Sequence, residues 1–346
     1  MSLHAAGARD PEAADIGIVG TGRYVPPRVR TNAEVAGPAG VTPDWIAEHT
    51  GIRRRHVLER GQAASDLAIE AVRAALSSAG LSPSDLDLVI LATSTPDELG
   101  PATACRVQAE LQAWGAVALD VSAACSGWLF GTRVAVDWLR AGTGERYAAV
   151  VGVEAYSRFL DASDRATAVL FGDGAGATVL GPVPPGSGFG RIELGSDGSH
   201  AGDVLIPGGG SRIPASSASL RAGRHLIHMD GRAVRDFILE IFPKAAADAL
   251  RRADLTADAI DVIVTHQPNP VLLRKACAEA GLDPDLLVIV GDQVGNIGAG
   301  SIPFALAEAH GTGRLRYGDR VLVVGFGAGV TWGSTVLTWA LDGAEA

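Results

Sequence analysis

Cysteine is scarce. The 346 residues hold three, Cys105, Cys125 and Cys277, widely spaced. That excludes a disulfide framework and a CxxC zinc pattern and fits a reducing, cytoplasmic setting. Basic residues are also few, 29 against 39 acidic ones, giving a net charge of −10, which argues against nucleic acid and anionic membrane surfaces as partners. No apolar run approaches the roughly 20 residues that span a bilayer. The polar, Ala-rich stretch Met1 to Asp15 lacks the apolar centre of a signal peptide. Phosphate-loop signatures are missing as well. Gly20-Thr21-Gly22, expected as a tight turn after a short strand Ile16–Gly20, has no third glycine. Gly172-Asp173-Gly174-Ala175-Gly176, expected as a turn between strands Thr167–Phe171 and Ala177–Leu180, has no following Gly-Lys-Ser/Thr. Neither supports nucleotide chemistry.

The 47% hydrophobic content is enough for one large core or two smaller ones, and the 44 glycines imply close backbone approaches more than disorder. Around Cys125 an apolar run, Ala116 to Val121, reads as a buried strand. A helical pattern carrying Leu129, Val134, Ala135 and Leu139 near one face follows. Cys125 therefore sits where a strand becomes a helix, and the free N–H groups there should lower its thiol pKa. Its small neighbours Ala123, Ala124, Ser126 and Gly127 leave room for a thioester. A buried structural cysteine is the plainer alternative. The cluster Arg53-Arg54-Arg55-His56 reads either as a solvated loop or as an anion clamp.

The second half of the chain repeats the first. Ala79 to Ile90 lines up with Ala253 to Val264, and Gly144 to Val151 with Gly318 to Gly325, both 174 residues apart. Ala177–Leu180 matches Ser334–Leu337 at 157, so residues 158–171 read as an insertion in the first copy. Two α/β halves follow, 15–185 and 186–343, each a layered sheet with helical cover. In this frame Cys125 corresponds to Ala299, just past Asn296, and His266 to Ala92. His266 closes the strand Ile260–Thr265, and Asn296 follows Leu286–Val290 through a glycine-rich turn. All three fall at carboxyl ends of strands, where open α/β sheets bind ligands. Singly, His266 could be a core histidine and Asn296 a turn residue.

Six segments carry a family resemblance from Ile16 to Leu341: Thr50-Gly51-Ile52-Arg53 with Arg55-His56, Asp120 to Gly127, Phe171 to Ala177, His266-Gln267-Pro268-Asn269, Gly295-Asn296 with Ser301-Ile302-Pro303, and Gly325 to Gly333. The chain resembles β-ketoacyl-acyl-carrier-protein synthase III, a thiolase-fold condensing enzyme. The resemblance implies an α/β fold of two duplicated halves layered αβαβα, and a homodimer. It implies Cys125 as acyl-accepting nucleophile, with its own N–H and that of Ala328 as oxyanion hole and Phe326 packed beside it. It implies His266 and Asn296 as donors to the enolate left by decarboxylation of a malonyl thioester. By similarity Trp45 stacks on adenine, Arg53 and Arg165 meet the coenzyme A phosphates, and Gly231 and Asn269 line the pantetheine tunnel. No cofactor or metal is implied; coenzyme A or phosphopantetheine thioesters, the latter on an acyl carrier protein, are substrates.

Four positions depart from the family pattern. Ala328 replaces a usual glycine. Gly100 stands where the partner subunit usually lends an aromatic to the acyl pocket. Pro270-Val271 follow Asn269 where a basic residue often docks the carrier protein, with Arg274 and Lys275 further on. Ile297-Gly298-Ala299-Gly300 replaces a hydroxyl-bearing run. Three activities are therefore compared: decarboxylative Claisen condensation in fatty-acid or polyketide synthesis, acyl transfer from Cys125 to a carrier thiol, alcohol or amine, and a catalytically silent subunit.

Overall fold

The computed structural model describes residues 15–142 and 146–342. The stretch Met1 to Ala14 of the polar N-terminal reading, the repeat residues Gly144 and Glu145, and boundary residue 343 lie outside them. The principal strands of the first sheet are β1 (Asp15–Tyr24), β2 (Leu86–Ala92), β3 (Val117–Val121), β4 (Tyr147–Ala155) and β5 (Asp173–Val183), in the order β1-β5-β4-β2-β3. The second sheet holds β6 (Gly188–Phe189), β7 (Glu193–Ser196), β8 (Val262–Thr265), β9 (Arg320–Gly327) and β10 (Thr331–Thr338). There β8, β9 and β10 lie side by side, and β6 and β7 both pair with β10.

The principal helices are α1 (Pro43–Thr50), α2 (Ala64–Ala79), α3 (Thr103–Leu111), α4 (Gly127–Ala141), α5 (Gly231–Ala253), α6 (Pro270–Glu279) and α7 (Ser301–Gly311). All but α1, which packs in a smaller cluster with Val35 and Val169, sort into three layers by what they bury. α2 and α3 cover the outer face of the first sheet through Leu67, Val72, Val107 and Leu111. α5 and α6 cover the second through Phe242, Ala246 and Leu273. Between the sheets, α4 and α7 share one core with residues of both, including Ile90, Val264 and Val323. α7 is apolar nearly all round, with Ile302, Phe304, Ala305 and Leu306 buried, as a helix sandwiched between two sheets must be. The fold is thiolase-like, with layers αβαβα.

The duplication is visible element by element. The 3₁₀ turns Pro83–Asp85 and Ala257–Ala259 stand 174 apart, as do Ala124–Ser126 and Gly298–Gly300, the turns that open α4 and α7. The ladders refine the spacing. Ile90 lies opposite Val150, and Val264 opposite Val323, so β9 is displaced by 173 from β4. The irregularity between Leu86 and Leu88 in the β2–β4 ladder accompanies that one-residue difference. Thr178 opposite Val150 and Thr335 opposite Val323 keep the 157 spacing. The insertion shows as the connection 156–172, against 328–330 in the second copy.

Several local expectations are corrected. Gly20 and Gly22 are not in a turn; β1 runs straight through them. A Cβ at Gly20 would stand 2.3 Å from Ala75 O, and one at Gly22 2.2 Å from Ala71 O. These glycines let α2 lie on the strand. Gly172–Gly176 is likewise no strand–turn–strand: β5 begins at Asp173, and Thr167 belongs to a helical turn, Arg165–Ala168. β3 is an edge strand rather than a buried one, with Val117 47% exposed. Leu286–Val290 is not a full strand. It runs beside β8 through a Leu287–Ile263 bridge and enters a helical turn, Gly291–Val294.

Candidate active site

The turn before α4 holds Cys125 under local strain. Ala124 has φ +47, a left-handed conformation that costs a residue with a Cβ about 1–2 kcal/mol. Hydrogen bonds worth about 1 kcal/mol each offset it. Ser126 Oγ and Thr331 Oγ1 lie 2.8 and 3.0 Å from Ala123 O and 2.7 Å from each other, so one hydroxyl donates to the carbonyl and the other donates to its fellow hydroxyl. Thr331 begins β10, so the Cys125 turn is clamped by the second half of the chain. Gly327 lies over it, and a Cβ there would come within 2.6 Å of Cys125 N.

His266 leaves β8 with its N–H on Val324 O (3.1 Å). Its ring stands edge-on to Phe326, centroids 5.3 Å apart. Ser301 Oγ donates to Gly298 O at 2.6 Å and lies 2.9 Å from His266 Nδ1. Having spent its only proton, Ser301 accepts from Nδ1–H, which leaves the lone pair on Nε2. Asn296 is held by backbone on both sides: its N–H donates to Leu170 O (2.8 Å) and its C=O accepts from Gly172 N (3.0 Å). Its Oδ1 accepts from Gly298 N (2.9 Å), so Nδ2 is the end that donates outward. The Phe171–Gly172–Asp173 segment is thus the cradle of Asn296, and Asp173 anchors it by accepting from Leu58 N (2.6 Å) and Ser157 N (2.7 Å).

Cys125, His266, Asn296, Phe326 and Ala328 line one cavity of about 920 Å³, together with Trp45, Arg165, Gly231 and Asn269. Arg53 and Gly100 are not brought there. Arg53 is exposed, its N–H on Asp292 O (2.8 Å). Gly100 is exposed ahead of α3, with open space where a Cβ would point.

The electrostatics correct a second expectation. Burial, and then the Glu154 charge, push the Cys125 thiol up to about 12. The helix start alone would lower it, but desolvation outweighs the helix dipole here. Burial also lowers His266 to about 3, so both groups rest neutral. Glu154, at the end of β4, is fully buried. Its burial outweighs the hydrogen bonds from Thr95, Ser94, Ala299 and Tyr156 and raises it to about 7.

Residues 119–198 match the family model for 3-oxoacyl-[acyl-carrier-protein] synthase III, and residues 250–339 match that family's C-terminal model. The chain belongs to this synthase III family. A β-ketoacyl-[acyl-carrier-protein] synthase III of Desulfitobacterium hafniense (strain DSM 10664 / DCB-2) is 42% identical over 328 residues, 95% of this chain and 99% of the relative. The acetoacetyl CoA synthase NphT7 of Streptomyces sp. (strain CL190) is 43% identical, covering 93% and 98%. Among solved structures, the 3-oxoacyl-(acyl carrier protein) synthase III from Pseudomonas aeruginosa PAO1 superposes with a TM-score of 0.87 at 37% identity, covering 94% and 99%. As a synthase III homologue the chain is an enzyme, a condensing transferase. Among the described residues no helix is long and apolar enough to cross a membrane.

On the cavity wall, Trp45 stacks on His49 with ring centroids 4.4 Å apart and packs against the cluster of Val35, Ile46 and Val169. Asn269 caps α6 by accepting from Leu272 N (3.0 Å) and reaches His49 O (3.2 Å); it ties the cavity wall to α1. Arg165, Arg232, Arg235 and Lys275 line the cavity, against the single carboxylate of Asp203. Arg232 and Arg235 are additions to the sequence reading. Arg55 is neither solvated nor a clamp. It is 1% exposed and donates to Asn32 Oδ1 (2.9 Å) and Val169 O (2.7 Å). Glu154 and Tyr156 went unnoticed, although a glutamate closing the apolar run Tyr147–Val153 was a signal for a carboxylate at a strand end.

Proposed function

We propose that this chain makes a carbon–carbon bond by decarboxylative Claisen condensation, first taking an acyl group from a coenzyme A thioester onto Cys125 and then joining it to a malonyl thioester. The observation that supports this most is the meeting of Cys125, His266 and Asn296, drawn from both halves of the fold, in one largely apolar cavity. Cys125 Sγ attacks the acyl carbonyl. The N–H of Cys125 and that of Ala328 hold the oxyanion, and the donor leaves as a thiolate that takes a proton from solvent.

The malonyl thioester then loses CO₂, and the electrons of its C–C bond become an enolate. Asn296 Nδ2 is preset as one donor to the enolate oxygen. His266 supplies the second once the growing negative charge raises its basicity: Nε2 takes a proton from solvent and returns it when the enolate is consumed. The enolate carbon attacks the acyl carbonyl, the C–S bond breaks, and Cys125 is released as thiolate. The four cavity cations, in a chain of net charge −10, support a polyphosphate-bearing donor, with Trp45 on its adenine, Arg165 by its phosphates, and Gly231 and Asn269 along its pantetheine arm.

The same reading makes the enzyme a homodimer that receives malonyl groups on a carrier protein or coenzyme A. The unpaired edge of β3 supports the dimer, with exposed Val117, Trp114 and Leu99 around it. It also divides the chain at 185/186, since no described strand pairs across that point. The test is intact mass of the enzyme with a panel of acyl-CoA donors, then CO₂ release on adding a malonyl thioester. An acyl-enzyme that forms but releases no CO₂, and passes its acyl group to a thiol, alcohol or amine instead, overturns condensation.

A further inference from the structure

The cavity floor holds a pair that the mechanism above leaves idle. Tyr156, 5% exposed, brings its hydroxyl to 3.9 Å from Cys125 Sγ. On its other side lies the carboxylate of Glu154. Gly298 marks where the two meet: a Cβ there would stand 2.6 Å from Tyr156 Oη and 2.9 Å from Glu154 Oε1. Only a residue without a side chain closes over this contact, which accounts for glycine beside Asn296.

Glu154 is built to be charged at some point in the cycle. Ser94 N donates to its two oxygens at 3.1 and 3.2 Å, and Thr95 Oγ1 donates at 2.8 Å. These are acceptor-side contacts on both oxygens, as an ionised carboxylate requires. Among the described residues no cation answers it: the end of β2 supplies only Thr93, Ser94 and Thr95, and the Gly298–Gly300 turn supplies none. The other ionisable groups facing the pair are Cys125 ahead of α4, His266 in the same cavity, and Asp173 opposite Ala155 on β5, which feels Arg158.

We infer that Tyr156 is a second catalytic residue of the acylation step, passing the Cys125 thiol proton to Glu154, which acts through it as a positioning and proton-holding carboxylate. The S–H bond breaks as a new Tyr156 O–H bond forms, and the tyrosine's own proton moves to Glu154. The thiolate, hydrogen-bonded to Tyr156, attacks the donor carbonyl. After condensation releases Cys125 as thiolate, Glu154 returns its proton by the same hydroxyl, so one solvent proton is consumed per turnover, at the departing donor thiol. The order has an electrostatic consequence. Glu154 is neutral while the acyl group is on Cys125, which is when a malonyl carboxylate must enter. His266, with its basicity depressed, is left free for the enolate. Glu154's own value near neutrality suits the exchange.

The inference rests on Cys125 being the acylated group, but its test needs no natural substrate. Cys125 is alkylated with iodoacetamide from pH 5.5 to 9.5 and followed by peptide mass, in the parent and in Tyr156→Phe, Glu154→Gln and His266→Ala; acyl-enzyme formation is timed in parallel. Tyr156→Phe removes one oxygen and is the deciding variant even if Glu154→Gln fails to fold. Its alkylation at pH 7 should fall by about 10²-fold, and the inflection near neutrality should move to higher pH. Glu154→Gln should shift the inflection in the same way, which a merely structural role would not do. Parental rate and pH profile in Tyr156→Phe overturn the inference, as does a profile that shifts only in His266→Ala. A failure of condensation is read separately, as normal acylation with no CO₂ release.

Discussion

His266 Nδ1 lies 2.9 Å from a serine hydroxyl, Ser301 Oγ, whose own proton is already committed to Gly298 O at 2.6 Å. This fixes the imidazole tautomer and leaves Nε2 as a lone pair in the cavity. His266 is thus oriented by the first residue of α7, the helix that replicates α4 in the other half. Ser301→Ala should free the ring to take either tautomer. Losing one such hydrogen bond, worth about 1 kcal/mol, should slow malonyl decarboxylation roughly fivefold while donor acylation stays within about twofold. Equal losses in both half-reactions would make Ser301 a packing residue only.

Cys125→Ala should abolish acyl-enzyme formation and leave the fold intact, because a methyl replaces a thiol on a cavity wall rather than in the core. Intact mass after incubation with donor thioesters reads this directly. An acyl adduct on the variant would remove Cys125 as nucleophile.

His266→Ala and Asn296→Ala should each acylate from the donor but lose decarboxylation by roughly 10²–10³-fold, as for other donors to a developing oxyanion. The asymmetry between them is informative. Asn296 Nδ2 is a donor at rest, whereas His266 must first gain a proton, so only the His266-dependent part of the rate should fall as pH rises. Near-parental turnover in Asn296→Ala would favour acyl transfer without carbon–carbon bond formation.

What was legible in the sequence was what neighbours along the chain decide. The strand-to-helix turn at Cys125 and the strand end carrying His266 are found as read, and the offset holds at 174 except at β9, where it is 173; Asn296 follows a helical turn, Gly291–Val294, and not a strand end. What was missed depends on residues far apart. Glu154 is held by Ser94 and Thr95, 60 and 59 residues earlier, and Arg55 by Val169, 114 residues on. Its helix alone would acidify the thiol of Cys125, yet burial from both halves governs it. Gly20 and Gly22 read as a turn because glycine serves turns and close approaches alike; only the position of α2 tells them apart.

Arg165→Ala should raise KM for coenzyme A donors several-fold with little change in kcat, since it lines the cavity away from the reacting atoms. Arg53→Ala should change neither, because Arg53 stands outside the cavity wall. Steady-state kinetics with one acyl-CoA donor compare them. A KM effect at Arg53 equal to that at Arg165 would return Arg53 to the phosphate site.

Glu154 and His266 should leave opposite marks on stability against pH. The folded carboxyl of Glu154 is raised from 4.5 to about 7. Between those values the unfolded chain has lost the proton and the folded chain keeps it, so stability falls as pH rises through this window. The folded imidazole of His266 is depressed from 6.5 to about 3. Between those values the unfolded chain gains a proton that the folded chain refuses, so stability is lost as pH falls. From 4.5 to 6.5 the two slopes oppose each other, and the parent should show a flat midpoint there. Glu154→Gln removes one slope. Relative to the parent, it should become progressively more stable from about pH 5 to about pH 8, whatever its offset at the acid end from placing an amide among donors. His266→Gln should instead gain on the parent toward acid. Urea midpoints at about pH 4.5, 5.5, 6.5 and 8 suffice for both. A Glu154→Gln offset that stays constant across that range would mean that Glu154 titrates as an ordinary carboxylate and stays ionised beneath Cys125.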